Sequence, residues 1–260
     1  MPALSAEEAI ARARAALGKR AAELEHSLAV YYGNPARDGA MDALYATFLK
    51  PGDLAFDIGS HVGDRIASFR RLGARVVALE PQPLCASAIR AINGSDADTT
   101  LVQAACGARE GIIKLHVNSA NPTVTTASPE FVQAAQGADG WQGQVWDETI
   151  DVAVTTLDAL IAMHGRPAFI KIDVEGFEEA VLQGLSAPVA ALSFEFTTIQ
   201  RSVAHLCIDR LETLGYSRFN VALGESQILT FDQDISAAEM RAHIAGLPHE
   251  ANSGDVYAVM

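Results

Sequence analysis

Four acidic residues fall at places where a folded chain could use them together: Asp57, Glu80, Asp173 and Glu175. Asp57 lies in Phe56-Asp57-Ile58-Gly59-Ser60-His61-Val62-Gly63-Asp64, and Glu80 closes Val76-Val77-Ala78-Leu79-Glu80-Pro81. The first stretch reads as a buried strand, a glycine turn and a helix start. The second reads as a neighbouring strand that ends in a carboxylate. In a doubly wound sheet, ligands bind beyond the carboxyl ends of such strands. The glycine spacing is Asp-x-Gly-x-x-x-Gly, with His61 where a dinucleotide fingerprint has its second glycine. Asp57 and Asp64 would repel a pyrophosphate and suit a cationic ligand bearing an amino group. A nucleoside of that description is S-adenosylmethionine (SAM), and the chemistry it implies is methyl transfer. In this reading Glu80 accepts hydrogen bonds from ribose hydroxyls. Gly59, Ser60, His61, Gly63, Asp64 and Pro81 complete the turn side of the pocket, and Gln103 and Ala104 flank the adenine.

A second acidic turn follows another apolar run, Phe169-Ile170-Lys171-Ile172-Asp173-Val174-Glu175-Gly176. Strand alternation puts Lys171 and Asp173 on one face. Asp173 then stands at the strand tip beside the sulfonium end of the cofactor. A hydroxyl acceptor needs a base, and Glu175, Asp173, His61 and Glu195 are candidates. Asp173, Glu175 and Glu195 could also hold a divalent metal. A cationic cofactor pocket needs acids too, so the sequence reading does not favour the metal.

The chain resembles the FkbM family of SAM-dependent methyltransferases over roughly residues 54–197. The likeness rests on residues 56–63, on Ala78-Leu79-Glu80-Pro81, on Thr156-Leu157-Asp158-Ala159-Leu160, on residues 170–176 through Leu182-Gln183-Gly184, and on Phe194-Glu195-Phe196. It implies a class I, Rossmann-like methyltransferase fold with an antiparallel last strand. It also implies transfer to oxygen, often of a sugar or natural product, with S-adenosylhomocysteine as the second product. The family commonly has Ala-Asn where this chain has Ser60-His61, so His61 inherits no role from it.

These residues must be positioned by a sheet of short apolar strands. Strands are expected at 54–58, 75–79, 100–104, 168–172, 191–196, 218–222 and 256–260, near-continuous apolar runs as in strands covered on both faces. Helices are expected at 64–72, 83–92, 178–184 and 202–214. The fold class is α/β, with seven mainly parallel strands and helices on both faces. Residues 1–50 read as an N-terminal helical cap and 51–260 as the SAM-binding domain. In the cap, Ser5 and Glu8 form a capping-box pattern ahead of helix to about residue 30. A break at 31–35 and a helix at 40–49 follow. Two excursions interrupt the alternation. Residues 112–156 read as a strand pair framing a long loop. Residues 224–252 carry a short strand at 227–231 and a helix at 237–245. Loops as long as 119–148 are usually functional, and Tyr31, Tyr32, Trp141 and Trp146 are candidates to line an acceptor site.

The 260 residues carry a formal net charge of −13, with 49% apolar and 20% charged residues. No basic stripe is present, so a nucleic-acid substrate is not expected. The acceptor expected is a small-molecule hydroxyl. The three cysteines show no metal spacing and read as reduced thiols. No leader or membrane span is evident, and a cytoplasmic setting is expected. Oligomeric state is not legible. The competing classes are an N-methyltransferase of the same fold, a nicotinamide-dependent oxidoreductase and a non-catalytic SAM-binding protein.

Overall fold

A computed structural model describes residues 5–32 and 34–260. Residues 1–4, part of the stretch read as leaderless, and Gly33, within the expected helix break, lie outside the described residues.

Seven strands form the central sheet: β1 (Leu54–Ile58), β2 (Arg75–Leu79), β3 (Thr99–Val102), β7 (Phe169–Ile172), β8 (Ala191–Thr197), β9 (Arg218–Leu223) and β10 (Ser253–Val259). Three further strands, β4 (Ala105–Cys106), β5 (Gly111–Val117) and β6 (Glu148–Thr155), make a second sheet ordered β4-β6-β5. The large sheet runs β3-β2-β1-β7-β8-β10-β9. Every pairing is parallel except those of β10, which is antiparallel to β8 and β9. The chain therefore leaves β1 outward through β2 and β3, then returns to β1's other edge with β7. The tips of β1 and β7 border this switch point, where a crevice forms.

Alternation sorts the β1 side chains between two cores. Leu54, Phe56 and Ile58 pack with Leu157 and Leu160 of α7 (Leu157–His164), Val181 of α8 (Glu178–Gln183), Ile208 of α9 (Arg201–Leu214) and Met240 of α10 (Ala237–Gly246). Ala55 packs on the opposite face with Tyr45 of α3 (Pro35–Tyr45), Phe69 of α4 (Asp64–Arg71) and Ile89 of α5 (Pro83–Asn93). Asp57 and Lys171 belong to this second face, a polar pair inside an apolar layer.

The cap differs in detail from the expected single helix. The Ser5–Glu8 capping box starts α1 (Ala6–Leu17), but Gly18 turns left-handed at φ +56° and a 3-10 stretch, Gly18–Leu24, precedes α2 (Glu25–Tyr32). The next helix begins at Pro35, not at 40, because Asn34 caps the amides of Ala36 and Arg37. The strand expected at 227–231 is reduced to one bridge, Ala222 to Leu229. The excursion over 112–156 is the expected antiparallel pair, with Leu115 opposite Ile150, and its loop folds a helix of its own, α6 (Pro129–Ala135). That region keeps separate small cores, one around Leu115 and Val152 and one around Phe131 and Trp141. No described helix is long and apolar enough to cross a membrane.

Candidate functional site

A cavity of ≈ 300 Å³ opens over the tips of β1, β2, β7 and β8. Its walls bring together Asp57, Gly59, Ser60, His61, Asp64, Glu80, Pro81, Ala104, Asp173, Glu175 and Glu195. Sequence spacing alone had put two candidates at this pocket that do not line it. Gln103 sits at the end of β3 but is exposed, and its side-chain oxygen accepts from Arg90 at 2.6 Å. The Cβ expected on an added Gly63 side chain would meet Ile66, Ile89 and Asn93, so that glycine serves the turn into α4, where φ is +89°.

Gly59 has a reason the sequence did not give. An added Cβ would lie 1.7 Å from the carbonyl oxygen of Asp173. The glycine is required by the close approach of β7's exit, in addition to its own φ of +86°. The two acidic turns are thus packed backbone to backbone.

Asp57 is 1% exposed, and neither carboxylate oxygen has a hydrogen-bond partner among the described residues. Burial, then the charge of Asp64, pushes its carboxyl up to about 7. Glu80 is held differently. Its two oxygens accept from the backbone amides of His61 at 2.8 Å and Gln82 at 2.7 Å. Burial outweighs both bonds and raises the group to about 8. Each oxygen of Glu80 retains a lone pair for a further donor.

Asp64 opens α4 but is not free to meet a ligand's amine. Arg37 of α3 reaches it at 2.7 Å and Arg65 at 2.5 Å. Burial opposes its charge, yet the two guanidiniums prevail and hold it down at about 2. Both arginines also bind Glu225, at 2.7 and 3.2 Å. This four-residue clasp joins the cap to the β9–β10 excursion at one rim of the cavity. Sequence reasoning missed Arg37, Arg65 and Glu225, which lie far apart in the chain and match no motif.

His61 occupies a left-handed φ of +47°. Its Nδ1 is 3.6 Å from Cys85 Sγ, its Nε2 is 3.4 Å from Thr123 Oγ1, and Tyr31 meets it edge-on. Burial lowers the imidazole to about 4, so it is neutral at pH 7 and a weak proton acceptor. It ties the first turn to α5 and to the long loop.

The second acidic turn is built around Lys171, which is wholly buried. Its Nζ donates to Asp255 at 2.6 Å and Asp173 at 3.1 Å. Burial opposes the ammonium, but the two carboxylates keep it charged. Burial opposes the charge of Asp173 as well, and Lys171 brings its carboxyl below the usual range. Glu175 takes a left-handed φ of +55°. The turn is pinned on both sides: Glu178 accepts from the amides of Val174 at 3.0 Å and Gly176 at 3.2 Å, and Thr126 Oγ1 donates to the Glu175 carbonyl at 2.6 Å. Glu178 was outside the sequence candidates; its place on the first turn of α8 is the signal that could have found it. Burial raises Glu175 and Glu195 well above ordinary glutamates, with the nearby charge of Asp173 adding to the effect.

The opposite wall is apolar and comes from the 112–156 region through Leu115, Val124, Ala127 and Trp141. Gln82 Nε2 donates to the Pro122 carbonyl at 2.9 Å and ties this wall to the tip of β2. Of the four expected aromatics, Tyr31 and Trp141 line the cavity. Tyr32 donates to the Val62 carbonyl and Trp146 to the Val124 carbonyl, and both are packing residues.

The methyltransferase FkbM domain matches residues 57–217, more than half of the chain. No curated protein matches it. Among solved structures, the chain is similar to a TehB-like SAM-dependent methyltransferase from Corynebacterium glutamicum. That pair shares 10% identity over 96% of this chain and 98% of the other, at a TM-score of 0.45. A precorrin-6y C5,15-methyltransferase from Geobacter metallireducens shares 14% over 85% and 86%, at 0.40. Fibrillarin from Aeropyrum pernix, with natively bound S-adenosyl-L-methionine, shares 11% over 85% and 73%, at 0.41.

Proposed function

Because the chain belongs to the FkbM family of methyltransferases, we propose that it transfers the methyl group of SAM to a hydroxyl oxygen of a small molecule. The carrying observation is one cavity with two acidic ends, Glu80 over β2 and the Asp173–Glu175–Glu195 group over β7 and β8.

The residues fit SAM better than a dinucleotide. Glu80 is fixed by two amides and keeps capacity for ribose hydroxyls. Asp57 has two buried oxygens without protein partners, which suits a ligand that brings donors or positive charge. In the turn before α4, where a dinucleotide fingerprint has its second glycine close to a pyrophosphate, His61 stands instead and its ring is packed against Cys85 and Thr123. Gly59, Ser60, His61, Pro81 and Ala104 would form the rest of the nucleoside wall, with Asp173 at its far end.

SAM supplies an already activated methyl group, so the protein's task is orientation and removal of one proton. The apolar wall around Trp141 would hold the body of the acceptor and exclude water. Glu175 would take the hydroxyl proton: it lines the cavity and its carboxylate has no protein hydrogen-bond partner among the described residues, whereas burial makes His61 a weak acceptor. Lys171 holds Asp173, and Glu178 holds the turn that carries Glu175.

Calorimetry with SAM and with NADH tests the cofactor. Incubation with a panel of hydroxylated and amine-bearing small molecules, read as S-adenosylhomocysteine release, tests the acceptor. NADH binding without SAM binding would overturn the reading, and methylation confined to amines would overturn the oxygen assignment.

A further inference from the structure

We propose that Asp173, Glu175 and Glu195 form a binding site for one divalent cation of the magnesium or manganese type. One carboxylate oxygen from each residue lies within 4.8 Å of the other two. That spacing lets three oxygens meet a single ion with small side-chain adjustments. The donors are all carboxylates, with no thiolate or imidazole among them, and such a set suits a hard cation.

A second observation points to a ligand. Glu175 is 8% exposed, lines the cavity, and its carboxylate makes no hydrogen bond among the described residues. A carboxylate nine-tenths buried that faces a cavity with no protein partner is left for water or a ligand to complete. Protein cations do not complete it here. The Lys171 ammonium is engaged by Asp255 and by Asp173 Oδ2, and Arg37 and Arg65 are engaged by Asp64 and Glu225. Asp173 and Asp255 thus take up the one ammonium, and Glu175 and Glu195 are in no ion pair among the described residues. The backbone around the site is also held, because Glu178 and Thr126 fix the turn.

Each residue gives the ion one oxygen, which leaves the second oxygen of Glu175 available for the acceptor's proton. The ion would lower the pKa of a hydroxyl that binds to it. That role rests on the methyltransferase reading; the binding itself does not.

The test uses the full chain and manganous chloride, with free Mn²⁺ followed by electron paramagnetic resonance and Mg²⁺ as competitor, both without SAM and with SAM at saturation. The expected result in at least one arm is one saturable site that Mg²⁺ displaces. Affinity falls at least tenfold in Glu195→Gln and in Asp173→Asn, and stays within twofold in Glu225→Gln, a cavity carboxylate held by Arg37 and Arg65 outside the three ligands. Glu195→Gln removes one of several crowded like charges, so it should fold, and circular dichroism verifies this. Absence of a saturable site in both arms, or a site untouched by Glu195→Gln and Asp173→Asn, overturns the proposal. Failure of SAM to bind alongside intact Mn²⁺ binding would count against the cofactor reading alone.

Discussion

Replacing Lys171 with methionine perturbs the centre of the acidic end without changing its shape much. The wild-type ammonium is wholly buried and holds Asp255 at 2.6 Å and Asp173 at 3.1 Å. Asp173 has a side chain 32% exposed and can turn to water, whereas that of Asp255 is only 7% exposed. The variant therefore strands mainly Asp255. Removing one partner of a buried pair typically costs about 3–5 kcal/mol, a large part of a domain's stability of ~5–15 kcal/mol. The loss depends on pH. Burial already raises the Asp255 carboxyl, and Lys171 restrains that rise. Without the lysine the folded-state pKa climbs further above the unfolded value. The group's destabilisation then grows as pH rises and shrinks as the acid takes up a proton. Urea unfolding of Lys171→Met at pH 8 should show the full deficit, and at pH 5.5 a clearly smaller one. The double variant Lys171→Met/Asp255→Asn leaves no stranded charge in the deepest position and should recover to within about 2 kcal/mol of wild type, a coupling that a double-mutant cycle measures. A single variant that loses under about 1 kcal/mol at both pH values, or a double variant no more stable than the single, would refute the reasoning.

Four other outcomes are expected. Asp57→Ala and Glu80→Ala should each weaken SAM binding at least tenfold, or ~1.4 kcal/mol, with the fold retained; unchanged affinity with both made together would show the pocket to be misassigned. Glu175→Gln should lower kcat about 100-fold while SAM affinity stays within about threefold, because Glu175 is assigned the acceptor's proton and Asp57 and Glu80 the nucleoside. Gly59→Ala should destabilise by about 3 kcal/mol or more, since its Cβ would sit 1.7 Å from the Asp173 carbonyl oxygen at a left-handed φ; a thermal midpoint near that of wild type would contradict the packing. Glu80 has a folded-state carboxyl raised from 4.5 to about 8, so its contribution to stability is present below 4.5 and lost as pH rises through about 8. Glu80→Gln should consequently flatten the fall in thermal midpoint between about pH 5 and about pH 9, and parallel curves for the two proteins would count against it.

Local chemistry made much of this molecule readable from its sequence. Buried strands are continuous apolar runs, so the seven strands of the large sheet were visible, and the acids that end them marked the cavity. What escaped depends on distant residues meeting. Arg37 and Arg65, themselves bridged by Glu225, neutralise Asp64, which the sequence alone presents as an open acid. Gln103 has the right strand and the wrong direction, because Arg90 of α5 draws it outward. The two-residue β4 is too short to carry a periodic pattern, and α6 lies in a stretch whose helix starts from Ser128 and Pro129 rather than from a clear apolar repeat. Gly59 lines the cavity, and the close approach of Asp173 that requires a glycine there needed the neighbouring strand to see.

The small cores around Leu115 and Phe131 have a bearing on how such an enzyme could change its substrate. The apolar wall is stabilised in part by its own side chains, and it meets the rest of the cavity through joints that include Gln82 with Pro122, His61 with Thr123 and Thr126 with the Glu175 carbonyl. Outside those joints, residues 107–155 are therefore a module that drift or design can rebuild while the two acidic turns, locked together at Gly59 and Asp173, stay in register. A chimaera carrying another such module should inherit a new acceptor preference and keep the old cofactor affinity.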